Sequence, residues 1–201
     1  MLRVATDRPD GSRWVAAFLQ GMRQGECLGL TWAAVDIAAG HVDVSWQLQA
    51  IPYRHGCLVE NKPRCGRRFG DDCPDRALRV PDGYEYRQLD GNLCLVRPKT
   101  EKGQRLIPLV PWMSAALSQW REVAPASPHG LVWPRPEGRP QTSKAEAEAW
   151  RDLPHAAEVD GPGRLYQLHE ARPTTATLLL EAGIHAEVIK AILGHPPFAP
   201  N

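Results

Sequence analysis

The stretch LHEARPTTATLLLEAGIHAEVIKAILGH, residues 168–195, decides how the rest of the sequence is read. His169 and Arg172 stand three positions apart at the head of an apolar run; on a helix that spacing puts them on one face. Gly183 and Gly194 each follow a helical stretch where a left-handed cap is favourable, which predicts two helices, one holding HEARPTTATLLLEAG and one holding AEVIKAILG. A second histidine, His195, comes directly after the second cap.

Working outward, the sequence divides into further elements. In SRWVAAFLQGMRQGECLGLTW, apolar residues at Val15, Phe18, Leu19, Met22, Cys27, Leu28 and Leu30 predict two short helices broken near Gly21 and reaching to about Trp32. GHVDVSWQLQ alternates Val42, Val44, Trp46 and Leu48 with polar neighbours, the period of a half-buried strand. NLCLVRPKTEKGQRLIPLV reads as two apolar strands joined by a polar turn containing Gly103, a β-hairpin. Pro111 opens a helix, Leu131 to Trp133 read as a short strand, and QTSKAEAEAWRDL reads as a helix capped by Thr142 or Ser143. The predicted class is a mostly helical α+β domain with a small antiparallel sheet, a single domain over residues 1–201. Between about residues 50 and 90 neither periodicity holds, and Pro, Gly, Arg, Asp and three cysteines crowd together as an insertion.

Bulk properties narrow the partners. The 201 residues, 43% hydrophobic, can bury one sizeable core. No apolar run approaches a membrane span, and MLRVATDRPDGSRW lacks the apolar centre of a secretion signal, so a cytoplasmic location without membrane contact is expected. In that compartment the five cysteines point to thiols or a metal site rather than disulfides. A formal charge of +1 does not advertise a nucleic-acid partner, so any such partner must be read by local sites.

Four pieces in one order, GMRQGECLGLTW, RPKTEKGQRLIPL, LHEARPTTATLLL and ILGH, resemble the catalytic domain of the tyrosine recombinases, the phage integrase family, in particular those of actinobacterial phages and mobile elements. The resemblance implies that Arg23 and Arg172 clamp the non-bridging oxygens of a DNA phosphate, where guanidinium forks meet phosphate oxygens bidentately. Glu26 matches the acidic residue that braces Arg23. His195 would donate to the same phosphate. Lys99 would protonate the departing 5′ oxygen, and His169 would assist the attacking tyrosine or orient its neighbours. The implied partners are double-stranded DNA and other recombinase subunits. No metal or nucleotide cofactor is implied for catalysis, because a covalent phosphotyrosine conserves the bond energy for rejoining.

Departures from the family pattern set further expectations. The family's tyrosine nucleophile lies a short way beyond the position of His195, whereas Tyr53, Tyr84, Tyr86 and Tyr166 all precede it, so a domain truncated before its nucleophile is expected. Pro173 follows Arg172 and restricts that residue's backbone. Within the insertion, His55, Cys57, Cys65 and Cys73 offer a donor set suited to a structural zinc, with Cys94 either a further ligand or core. Arg64, Arg67 and Arg68 form a basic cluster there that suits DNA backbone contact. The function expected is site-specific DNA recombination by strand breakage and rejoining. Its rival is a non-catalytic remnant that binds DNA or a partner.

Overall fold

The computed structural model describes residues 1–98, 103–159 and 171–194. In chain order the elements are α1 (Leu2–Thr6), α2 (Gly11–Leu19), α3 (Gln24–Leu28), β1 (Val35–Asp36), β2 (His41–Val44), β3 (Gln47–Ala50), β4 (Tyr53–His55), β5 (Leu58–Val59), β6 (Lys62–Pro63), β7 (Arg76–Leu78), β8 (Tyr86–Asp90), β9 (Leu93–Val96), β10 (Arg105–Pro108), α4 (Pro111–Val123), α5 (Ser143–Ala156), α6 (Ala171–Glu181) and α7 (Ala186–Leu193). None of the described helices is long and apolar enough to cross a membrane.

The core forms around α2, whose residues Gly11 to Phe18 are all buried. Trp150 of α5 packs on both Trp14 and Phe18, with ring centroids 5.8 Å and 5.4 Å away. Two of the buried indoles find acceptors, Trp133 donating to Ser12 Oγ at 2.9 Å and Trp120 to the Val132 carbonyl at 2.6 Å, whereas Trp14 Nε1 has none among the described residues. The break after α2 falls where expected. Gly21 takes a left-handed φ of 60°, and a Cβ there would run into Leu193 of α7 as well as the left-handed backbone penalty. Next to it, Thr175 of α6 donates to the Phe18 carbonyl at 2.5 Å, so the turn that leads to α3 is gripped by both C-terminal helices.

The expected hairpin between residues 92 and 110 is not formed among the described residues. β9 pairs with β3 and β8, and β10 pairs with β2. Both runs pair antiparallel with the one extended segment 41–50: Val96 lies opposite Gln47 and Arg105 opposite Val44. Burial explains this outcome. All four residues of β9 are buried, and a strand covered on both faces belongs in the middle of a sheet rather than at the edge a lone hairpin would give it. Leu93 and Leu95 meet Leu28 of α3 and Leu48, while Cys94 and Val96 meet Ile51 and Leu78 from the insertion. Cys94 is therefore core.

Further expectations change. The insertion is not without strands, since β4 pairs with β7, β5 with β6, and β8 supplies the third strand beside β9. Leu131 makes only an isolated bridge to Thr31 in place of a strand. The helix expected to about Trp32 ends at Leu28, and the strand expected across residues 40–49 divides into β2 and β3 in two sheets, but Pro111 starts α4, Thr142 Oγ1 accepts from Ala145 N at 3.1 Å to cap α5, and Gly194 closes α7 at φ 61°, ψ 42°.

The core also encloses a charged group. Arg13 of α2 is shared between Asp10, at 2.9 Å, and the buried Glu146 of α5, at 3.3 Å. Burial pushes Glu146 up from 4.5 to about 7; Arg13 offsets part of that and Asp10 adds to it. With its folded value above its unfolded one, Glu146 contributes stability that is present below the unfolded value and is lost as pH rises through about 7. The stability difference between wild type and Glu146→Gln is expected to shift by about 2.5 kcal/mol against wild type on going from about pH 5 to pH 8, read by denaturant unfolding at each pH. A difference independent of pH would show that Glu146 stays ionised throughout.

Candidate active site

Arg23 occupies the N-cap of α3, with extended backbone at φ −72° and ψ 155°. Its position follows from how closely α3 lies on β3: a Cβ at Gly29 would come within 2.5 Å of the Leu48 backbone nitrogen. Glu26, at the third position of the helix, accepts from the Arg23 backbone N–H at 2.7 Å and from its guanidinium at 2.6 Å. A carboxylate in the first turn of a helix also meets the positive end of the helix dipole.

The second partner of Glu26 was not foreseen in the sequence. Arg105 of β10 donates to both carboxylate oxygens at 2.9 Å each, to the Ile192 carbonyl at 2.6 Å and to the Gly103 carbonyl at 3.2 Å. Its side chain is 7% exposed and that of Glu26 1%, whereas that of Arg23 is 41% exposed. Arg105 thus faces inward and serves the fold, while Arg23 faces outward. A signal was present: Arg105 shares the strand phase of buried Ile107, and Leu106 between them points to solvent. An arginine in the buried phase of a strand needs a buried acid.

Burial raises the Glu26 carboxyl, and the hydrogen bonds and charge of Arg105, with those of Arg23, more than reverse it, so the group stays below its ordinary value. Arg172, on the first turn of α6, completes the cluster. Burial brings it down to about 10; Arg23 and Arg105 push the same way and Glu26 opposes them. It remains charged at neutral pH. One of its terminal nitrogens is buried without a hydrogen-bond partner among the described residues. Pro173 is accommodated because it lies at the start of α6, where a missing N–H costs little. Three guanidiniums around one carboxylate leave an excess of positive charge, a site for an oxyanion bearing more than one negative charge.

The structure brings Arg23, Glu26 and Arg172 together. Lys99, His169, His195 and Tyr166 lie outside the described residues, but Gly194 before His195 and Gly103 after Lys99 are tied to the same cluster. Arg23 donates to the carbonyl of Gly194, the residue before His195, at 3.4 Å. The Arg105 contact to Gly103 holds the chain shortly after Lys99. On the other side of Lys99, Arg97 stacks on Trp46 at 4.0 Å, pairs with Glu85 at 2.9 Å and donates to the Ser45 carbonyl at 3.3 Å.

Away from this cluster, the donor atoms of His55, Cys57, Cys65 and Cys73 all lie within 4.8 Å of one another. Arg64, Arg67 and Arg68 are exposed beside them.

The arrangement of helices and sheets is that of DNA recombinase catalytic domains. The Tn1549 transposon integrase, solved in complex with circular intermediate DNA, matches 93% of this chain with a TM-score of 0.63 at 19% identity, over 52% of its own chain. The XerA recombinase matches 98% of this chain with a TM-score of 0.62 at 16% identity, over 51% of its own chain. In sequence, residues 77–198 match the Phage integrase family, and the chain belongs to that family. An integrase of Saccharopolyspora erythraea is 26% identical over 96% of this chain and 49% of its own length. The chain thus spans about half the length of these relatives.

Because Arg105 supplies the bidentate contact to a buried carboxylate, Arg105→Ala is expected to lower stability by about 3 kcal/mol in denaturant unfolding. Arg105→Lys should recover little of this, since an ammonium cannot donate to both oxygens in a planar fork. Full recovery by lysine would reduce the role of Arg105 to charge alone.

Proposed function

We propose that this domain acts in site-specific DNA recombination, gripping a phosphodiester of duplex DNA for strand breakage and rejoining. The observation that carries the reading is the pairing of outward-facing Arg23 with Arg172, whose terminal nitrogen has no described partner, around a Glu26 carboxylate already engaged by Arg105. Bracing Glu26 from behind leaves the Arg23 and Arg172 forks to meet two non-bridging oxygens. As a tyrosine oxygen attacks, phosphorus becomes five-coordinate and gains negative charge, and fixed cations stabilise that state more than the diester that precedes it.

The remaining roles rest on the family resemblance. Lys99 gives its proton to the departing 5′ oxygen, His195 donates to the phosphate, and His169 positions or deprotonates the attacking tyrosine hydroxyl. The 3′ phosphotyrosine that results keeps the bond energy, so rejoining requires no nucleotide. For cofactors, the reading is that the phosphate chemistry draws on no metal, and that a zinc ion in the His55, Cys57, Cys65 and Cys73 quartet serves structure only. Recombinase subunits assembled on duplex DNA are the partners, and the cytoplasm is the compartment.

For the domain supplied with the family's tyrosine nucleophile, incubation with nicked duplexes carrying candidate sites is expected to give a covalent protein–DNA adduct, seen as a slower band under denaturing conditions. Arg23→Ala and Arg172→Ala are each expected to slow adduct formation by about 10²-fold or more. A chain that retards duplex DNA in a native gel yet never forms the adduct would favour the rival, a phosphate-binding domain without chemistry.

A further inference from the structure

Residues 56–75 are ordered into a hairpin and a helical turn, yet Cys73 is the one buried residue among them. Leu58, Val59 and Phe69 are 45%, 49% and 57% exposed, so no apolar core holds this segment. Units this small are ordinarily closed by a covalent or metal link, because burial alone cannot offset the entropy of fixing the backbone. Four donor side chains converge at the middle of this one. Cys57 and Cys73 sulfurs are 3.5 Å apart, and the Cys65 sulfur lies 3.4 Å from His55 Nδ1. Donors on a tetrahedral zinc, with Zn–S near 2.3 Å and Zn–N near 2.0 Å, sit about 3.5–3.8 Å apart. The Arg64 backbone N–H donates to the Cys57 carbonyl at 3.2 Å, which ties the two ligand-bearing stretches together.

We propose that a zinc ion held by His55, Cys57, Cys65 and Cys73 closes residues 53–79 into a rigid arm, and that the arm presents Arg64, Arg67 and Arg68 as an accessory grip on the DNA phosphate backbone. The DNA half of this proposal rests on the recombination reading above; the metal half does not. Arg64 adjoins the ligand Cys65, and Arg67 and Arg68 follow it by two and three residues, so fixing the ligand fixes all three. All three are exposed and none has an ion pair among the described residues, with Arg68 lying over the Phe69 ring at 5.1 Å. β4 and β7, at the base, pack Tyr53 and Leu78 against Cys94 and Val96 of β9, so the arm is seated on the sheet whose end leads to Lys99.

The test uses the 201-residue chain purified with a reductant. Native mass spectrometry is expected to show one zinc per chain, removed by a strong chelator, restored by added zinc and lost in Cys65→Ser. On duplex DNA of arbitrary sequence, the Arg64→Ala, Arg67→Ala, Arg68→Ala triple variant is expected to keep its zinc but bind about tenfold or more weakly. Its slope of log affinity against log salt should be shallower by about 2 to 3, as three lost phosphate contacts require. Chelation of wild type should weaken binding comparably, with recovery on zinc addition, a control that does not depend on any variant folding. A chain that carries no zinc, with Cys57 and Cys73 free or disulfide-linked, overturns the metal centre. A zinc-loaded triple variant that binds as wild type does overturns the grip alone. Zinc-loaded wild type that binds no duplex DNA overturns the recombination reading and leaves the metal centre standing.

Discussion

The Glu26 carboxylate, its side chain 1% exposed, takes the guanidiniums of Arg105 and Arg23 on its two oxygens. Neither arginine could be removed cheaply, since an unpaired charge at that depth costs several kcal/mol. Three separate parts of the chain meet at this point: the N-terminus of α3 through Arg23, the start of β10 through Arg105, and the C-terminus of α7 through the carbonyls of Ile192 and Gly194. Those carbonyls are among the ones a helix end leaves without intrahelical partners, and cations are favoured there by the helix dipole. The network therefore satisfies its own polar groups while it fixes the relative position of elements distant in sequence.

That closure also decides what is left over. Arg105 is consumed by the fold: both of its oxygen contacts to Glu26, and those to two backbone carbonyls, are internal. Arg23 gives Glu26 one edge of its guanidinium and keeps 41% of its side chain exposed. Arg172 adds a further charge with one nitrogen unpartnered among the described residues. A positive excess that is held in place by buried contacts, rather than by solvent or flexible side chains, does not have to reorganise when an anion arrives, which is the property electrostatic stabilisation of a charged intermediate requires.

Much of this was legible in the sequence where local chemistry dominates. The break at Gly21, the Thr142 cap, the proline start of α4 and the glycine end of α7 all depend on backbone preferences of one or two residues, and each stands where the sequence puts it. The Arg23 and Glu26 pairing was legible through the family resemblance, since the three-residue spacing by itself fits an ordinary surface pair equally well. Arg105 was missed because its partner lies 79 residues away and its inward phase on a short strand shows only beside Ile107. The hairpin misreading has a similar origin. Two apolar runs with a polar link suggest partners, but the run at β9 is continuous rather than alternating, and continuity signals cover on both faces.

The inserted segment supplies one of those covers. Ile51 and Leu78 lie on Cys94 and Val96, while Leu28 of α3 and Leu48 lie with Leu93 and Leu95, so alternate residues of β9 point to the arm and to the active-site helix. The insertion is thereby part of the support for the site and not an ornament beside it. Whatever fixes the arm fixes one face of β9, and β9 runs directly into Arg97, whose stacking on Trp46 and pairing with Glu85 anchor the stem before Lys99. Glu85 itself belongs to the return from the arm, just ahead of β8. Order in the arm and the position of Arg97 are in this way mechanically continuous through a single strand, and that continuity gives the insertion a physical role in the catalytic domain.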